Sequence, residues 1–267
     1  PASHGRRTAA ELVLAGYLKW GEDCFAHLSG IFAIALCDRA EGKCLLARDH
    51  FGAKPLAYSV NGERLAFASE FSPLLALQPE RRTNRRALLE FQLHGDILPP
   101  ATIYDGIRTI PHGHYLSIER GKNSPQLKSY FNAFDVVSQS AYDRLAGLGA
   151  KRFLDELDAA MHESIQSNMA GGGPIGVALS GGVDSATLTA IAARHGDIQA
   201  INVSVPHGRN LDERPMAEAV ARHVGVALSV VTMSGDLYRR ELVDATLANE
   251  MPFWHVQNLG YYLASRR

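Results

Sequence analysis

The chain has 267 residues, 46% hydrophobic and 21% charged, with a formal net charge of −1. That length accommodates one large domain or two ordinary ones, and the balance is that of a soluble globular protein. Near-neutrality gives no global reason to expect nucleic acid as a partner, no apolar run is long enough for a membrane helix, and no basic-then-apolar leader pattern opens the sequence.

Thr8-Ala9-Ala10-Glu11 has the capping-box pattern and predicts a helix that stops near Gly21. Ile31 to Asp38 and Lys43 to Arg48 read as strands joined by a turn around Glu41-Gly42. Leu56 to Val60 and Arg64 to Ser69 read as a second hairpin, with Asn61-Gly62 as its type I′ turn. Cys24, Cys37 and Cys44 lack metal-ligand spacing. Cys37 and Cys44 fall in strand patterns and read as small core residues, and an odd count suits a reducing cytoplasm. A short helix is expected from about Glu70 to Leu77, and another from Asn84 to His94, ended by Gly95. The basic run from Arg81 to Arg86 reads as a solvated helix start. Ile107 to Tyr130 carries turn-interrupted strand patterns, and His112 and His114 within it lack a third metal ligand.

Regularity lapses from about Asn132 to Gly149, as expected of a connector between domains. Lys151 to Met169 then reads as an amphipathic helix, with Phe153, Leu154, Leu157, Met161 and Ile165 at helical spacing. Beyond the Gly171-Gly172-Gly173-Pro174 break, strands and helices alternate. Ile175 to Leu179 reads as a short buried strand and Ala186 to His195 as a helix closed by Gly196. Gln199 to Val205 is a strand, Asp212 to Val224 a helix, and Val226 to Thr232 a strand before further helices. Such alternation predicts a parallel sheet with helices on both faces, where ligands bind beyond the carboxyl ends of strands.

Ser180-Gly181-Gly182-Val183-Asp184-Ser185 occupies that location after the first of these strands. A glycine-rich turn opening a helix aims backbone N–H groups and the positive end of the helix dipole at one spot, which suits phosphate. Gly181 and Gly182 permit positive φ and close backbone approach. Ser180 and Ser185 can add hydroxyl hydrogen bonds, and Asp184 offers a carboxylate to Mg2+. The kinase-type loop needs a Lys after its second Gly, and none is present.

The run SGGVDSA resembles the PP-loop of the ATP pyrophosphatase superfamily. Along nearly its whole length the chain further resembles the asparagine synthetase B family of glutamine-dependent amidotransferases. The first half carries Leu28 to Leu36, Arg48 to Leu56, Phe67-Ala68-Ser69-Glu70, Gly106-Ile107 and Ile110 to His114. The second carries Leu179 to Ser185, Asp212-Glu213 and Ala217 to Gly225. The resemblance implies part of an N-terminal-nucleophile glutaminase-like sandwich (residues 1–134), a connector (135–150) and part of a parallel-sheet PP-loop domain (151–267). It implies a cytoplasmic ligase that activates aspartate with ATP and Mg2+ as β-aspartyl-AMP, releases pyrophosphate, and uses ammonia from glutamine to form asparagine. Leu179 and Val203 would then lie near adenine and ribose. Ser180, Gly181, Gly182 and Ser185 would hold the phosphates, and Asp184 the metal. Asp212 and Glu213 read either as an acidic pair near the metal or as ordinary helix-start acids. The partners implied are small molecules, with neither nucleic acid nor membrane; a homodimer is compatible with them.

The sequence departs from the family in three places. It begins Pro1-Ala2-Ser3 where the family has a catalytic Cys, carries Ala9 where the family has an aspartate contacting glutamine, and stops at Arg267 before the second pyrophosphate motif. A fragment that does not itself hydrolyse glutamine is therefore expected. A specialised amide ligase of the β-lactam synthetase or lasso-peptide cyclase type, and a non-catalytic ATP-binding remnant, are the competing readings.

Overall fold

The Thr8 hydroxyl accepts the Glu11 N–H at 3.3 Å, and the Glu11 carboxylate accepts the Thr8 N–H at 2.7 Å. This reciprocal cap opens α1 (Ala9–Trp20), which ends where Gly21 takes positive φ. The computed structural model describes residues 8–62, 64–78, 80–122, 124–171, 173–206 and 212–266. The chain divides into two units, one ending at Gln139 and one starting at Ser140.

In the first unit a 3-10 helix (Gly21–His27) follows α1. Then come β1 (Ala33–Asp38), β2 (Lys43–Arg48), β3 (Ala57–Asn61), β4 (Arg64–Ala68), α2 (Ser72–Ala76), α3 (Arg85–His94), β5 (Ile107–Thr109), β6 (His114–Glu119) and β7 (Gln126–Ser129). They form two antiparallel sheets, ordered β1-β2-β6-β7 and β4-β3-β5. The period-two alternation of strands sets the layers. Leu45 and Ala47 of β2 pack with Cys24, Phe25 and Tyr115 on the helical side. Leu46, between them, points the other way and packs with Leu56, Tyr58, Ile110 and Leu116. On β3, Ala57 faces away from that cluster, against Leu74 of α2 and Ile107. The result is a helix–sheet–sheet–helix sandwich. Each fully buried leucine in it contributes roughly 1.5–3 kcal/mol relative to exposure.

The Arg48–Lys54 loop is held from both ends. Arg48 donates to the carbonyls of Lys54, Gly52 and Ile110. Asp49 accepts the N–H groups of Phe51, Ala53 and Lys54. Burial would raise the Asp49 carboxyl, but these backbone donors outweigh it and hold the group below its ordinary value.

One turn differs from expectation. Asn61 is still in the ladder, opposite Arg64, and of the pair Asn61-Gly62 only Gly62 has positive φ. A type I′ turn centred on those two residues is not formed, because it requires positive φ at both. The register places Asn61 in the strand instead of the turn, and Glu63 lies outside the described residues.

Where a connector was expected, the chain forms α4 (Ala133–Val136) and α5 (Gln139–Ala146). The second unit continues with α6 (Ala150–Met169), β8 (Ile175–Ala178), α7 (Val183–His195), β9 (Ile198–Ser204), α8 (Arg214–Val224), β10 (Ala227–Thr232), α9 (Gly235–Asn249) and α10 (Val256–Ser265). The strands form a parallel sheet ordered β10-β9-β8. Ala200 of β9 faces Ala217 and Ala221 of α8. Val203 packs into the cluster of Met233, Ala245 and Leu259 on the other face.

Two elements are more exposed than their apolar patterns predict. β8 is an edge strand, so Gly176 and Ala178 are exposed and Ile175 and Val177 only half-buried. In α6, Phe153, Leu154 and Leu157 remain 40%, 59% and 44% exposed, and no residue of the helix is fully buried. Periodicity identifies the apolar face of a helix, whereas burial requires a surface against it; the main neighbour of α6 is α7. Among the described residues no helix is long and apolar enough to cross a membrane.

Candidate nucleotide site

The site begins where β8 gives out. Leu179 donates its N–H to the Ile201 carbonyl at 2.9 Å, and its own carbonyl accepts Asn202 Nδ2 at 2.8 Å. A backbone bond and a side-chain bond from β9 thus fix the direction in which the chain leaves the sheet. The Leu179 side chain is buried against Ala200, Ala217 and Ala221. Asn202 is also buried, and its Oδ1 has no partner among the described residues.

The turn itself depends on Gly181. It adopts φ +92°, and a Cβ there would lie 2.6 Å from Met216 Cβ and 2.8 Å from the Ala217 backbone nitrogen. The loop therefore lies against the start of α8 at a distance only glycine allows. Gly182 is extended and caps α7 without any side-chain hydrogen bond.

Ser185, in the first turn of α7, organises the loop from below. Its Oγ accepts the N–H groups of Ser180 (3.2 Å) and Gly181 (3.3 Å), lies 2.9 Å from Ser180 Oγ, and donates to the Gly182 carbonyl at 3.1 Å. Ser180 Oγ in turn accepts the Gly182 N–H at 3.3 Å. With Ser185 donating to Gly182, three donors share an oxygen that has two lone pairs, so the loop keeps donor capacity. Both hydroxyls are thus turned into the loop and hold its shape.

Above them the N–H groups of Val183, Asp184 and Ser185, the first turn of α7, meet no acceptor among the described residues. An uncapped helix start with convergent N–H groups and the dipole's positive end suits an anion. Asp184 is exposed in the same turn. Among the described residues no set of three or more His, Cys, Asp or Glu is assembled around a metal position. Asp184 alone offers one carboxylate, the number a Mg2+ ion takes from protein where substrate phosphates and water supply its other ligands.

The other predicted residues sit nearby with other work to do. Val203 is half-buried and packs so tightly on α10 that a Cβ at Gly260 would lie 2.9 Å from its Cγ1. Asp212 accepts the Ser204 hydroxyl at 2.9 Å and the Arg214 N–H at 3.2 Å, tying the end of β9 to the start of α8. Glu213 is the exposed N-cap residue of α8. The start Pro1-Ala2-Ser3, where the family's nucleophile is expected, lies outside the described residues. Sequence reasoning missed Asn202; a polar residue inside the apolar run Ile201-Asn202-Val203 was its one signal.

The family model described as a glutamine amidotransferase domain matches residues 3–131, and that described as asparagine synthase matches residues 156–267. The first stretch falls in the unit ending at Gln139 and the second in the unit starting at Ser140. This chain belongs to the glutamine-hydrolysing asparagine synthetase family. The putative asparagine synthetase [glutamine-hydrolyzing] of Mycobacterium tuberculosis (strain ATCC 25618 / H37Rv) is 31% identical over 189 residues, covering 69% of this chain and 28% of that relative. Asparagine synthetase [glutamine-hydrolyzing] 3 of Bacillus subtilis (strain 168) is 32% identical over 193 residues, covering 71% of this chain and 30% of that relative. The matched stretches thus make up less than a third of those family members' length.

Proposed function

We propose that this chain is a portion of an ATP-dependent, cytoplasmic amide ligase of the glutamine-hydrolysing asparagine synthase type. In this reading residues 1–134 come from the glutaminase domain and 151–267 from the synthetase domain, joined by 135–150. The observation that carries it is the uncapped start of α7 behind Gly181, in a chain whose two halves match the family's two domains in order.

The substrates are ATP, aspartate, and glutamine or ammonia. The β-carboxylate of aspartate attacks the α-phosphorus; the bond to the bridging oxygen breaks, and pyrophosphate leaves with β-aspartyl-AMP behind. Ammonia then displaces AMP and yields asparagine. The N–H groups of residues 183–185 hold the departing phosphates, with Ser180, Gly181, Gly182 and Ser185 shaping the cradle. Asp184 holds Mg2+, which neutralises phosphate charge. Adenine and ribose lie by Leu179 and Val203 and are met through main chain, since both side chains are engaged in packing.

In the full-length enzyme, Asp184→Ala is expected to lower aspartate-dependent ATP–pyrophosphate exchange by about 100-fold or more. Near-normal exchange would remove Asp184 from this role.

A further inference from the structure

Cys37 and Cys44 stand directly opposite each other in the antiparallel ladder of β1 and β2, with their sulfurs 3.1 Å apart. Opposed antiparallel residues have Cα atoms about 4.5–5.5 Å apart, which is inside the span of a disulfide. The register around them is held on both sides by the Leu36–Leu45 and Asp38–Lys43 pairs. The turn beyond is closed by Asp38, whose Oδ1 accepts the N–H groups of Ala40 and Glu41, both at 3.0 Å. Cys37 is exposed, whereas Cys44 is half-buried at the edge of the Leu46–Leu116 cluster. The third cysteine, Cys24, is buried in the other core cluster. Neither the family match nor the proposed ligase chemistry uses this pair.

We propose that Cys37 and Cys44 form an oxidisable site that closes reversibly to a disulfide across β1 and β2, with a small-molecule disulfide such as glutathione disulfide as the oxidant. The Cys37 thiolate, the accessible one, attacks a sulfur of glutathione disulfide, forms a mixed disulfide and expels one glutathione thiolate. The Cys44 thiolate then attacks the Cys37 sulfur and expels the second glutathione. Two protein thiols are oxidised to one disulfide, one glutathione disulfide is reduced to two thiols, and the two protein protons pass to solvent or the leaving groups. Burial, and after it the neighbouring Cys37 sulfur, hold the Cys44 thiol well above its ordinary pKa. The facing positions in the ladder bring the Cys44 sulfur to the Cys37 sulfur with no backbone movement.

The test is to incubate the folded, reduced chain with glutathione disulfide, block the remaining thiols and map the product by mass spectrometry. The expected product is lighter by two hydrogens, links the peptides containing Cys37 and Cys44, carries the block on Cys24, and returns to starting mass with reductant. Repeated in urea on the unfolded chain, the closure constant against glutathione should fall by about tenfold or more, because the ladder no longer aligns the sulfurs. A persistent glutathione adduct on Cys37 without closure, a cross-link through Cys24, or equal closure in the unfolded chain would overturn the proposal.

Discussion

Gly181 and Gly182 are adjacent and chemically identical, yet the fold asks different things of them. A methyl at Gly181 would meet the backbone of α8 and the Cβ of Met216, neither of which can swing aside, at a φ that L residues rarely adopt. At Gly182, φ is −69° and the nearest atom to an added Cβ is Ser180 Oγ at 3.5 Å, an ordinary contact. Gly181→Ala is therefore expected to destabilise the protein by about 2 kcal/mol or more, and Gly182→Ala by less than about 1 kcal/mol. Urea unfolding followed by circular dichroism compares them. Equal effects would mean that the close approach to α8 is not what fixes the loop.

At the scale of elements, the 3-10 helix Gly21–His27 is fastened to the first sheet through Glu22. Its carboxylate accepts from Lys43 Nζ at 2.8 Å, Lys128 Nζ at 2.6 Å and the Tyr115 hydroxyl at 2.8 Å. Burial alone would raise the Glu22 pKa. The hydrogen bonds from Lys128, Lys43 and Tyr115 outweigh it and bring the group down to about 2. An unfolded glutamate titrates near ~4.3. The stabilisation from Glu22 is thus fully present above that value and disappears as pH falls toward about 2. Its upper bound is about 3 kcal/mol, given a side chain 18% exposed. Stability measured between pH 5 and 2, taken as a range of about three units, should fall less steeply in Glu22→Gln than in the parent. Identical slopes would show that the cluster contributes nothing through Glu22.

Elements whose signals are local were legible in the sequence. The Thr8–Glu11 box, the helix that starts at Asn84 and ends at Gly95, and the alternation of β8 to β10 with helices all recur in the structure. What depends on distant partners was not. Among the described residues β8 has β9 alone beside it, a position its own apolar run does not reveal, and Glu22 meets Lys128 across 106 residues of chain. At the site, the residue types of the loop suggested a phosphate cradle, and the structure shows the glycine turn and uncapped helix start on which that expectation rests. The inward turn of the Ser180 and Ser185 hydroxyls, the hold of Asn202 on the Leu179 carbonyl and the proximity of Met216 arise only once the sheet and α8 are assembled.

Across the whole molecule, the chain presents two units built on different principles. One is an antiparallel sandwich whose layers follow strand alternation; the other is a parallel sheet whose carboxyl edge opens at an uncapped helix. That second feature is where the ligase account stands or falls, since a polyphosphate must meet the N–H groups of Val183, Asp184 and Ser185. The direct measurement is an amide-resolved NMR titration of the folded chain with ATP and Mg2+, set beside the same titration with adenosine. The account predicts that ATP shifts these three N–H resonances most and that adenosine leaves them in place. ATP binding that spares them, or adenosine acting equally well, would contradict it.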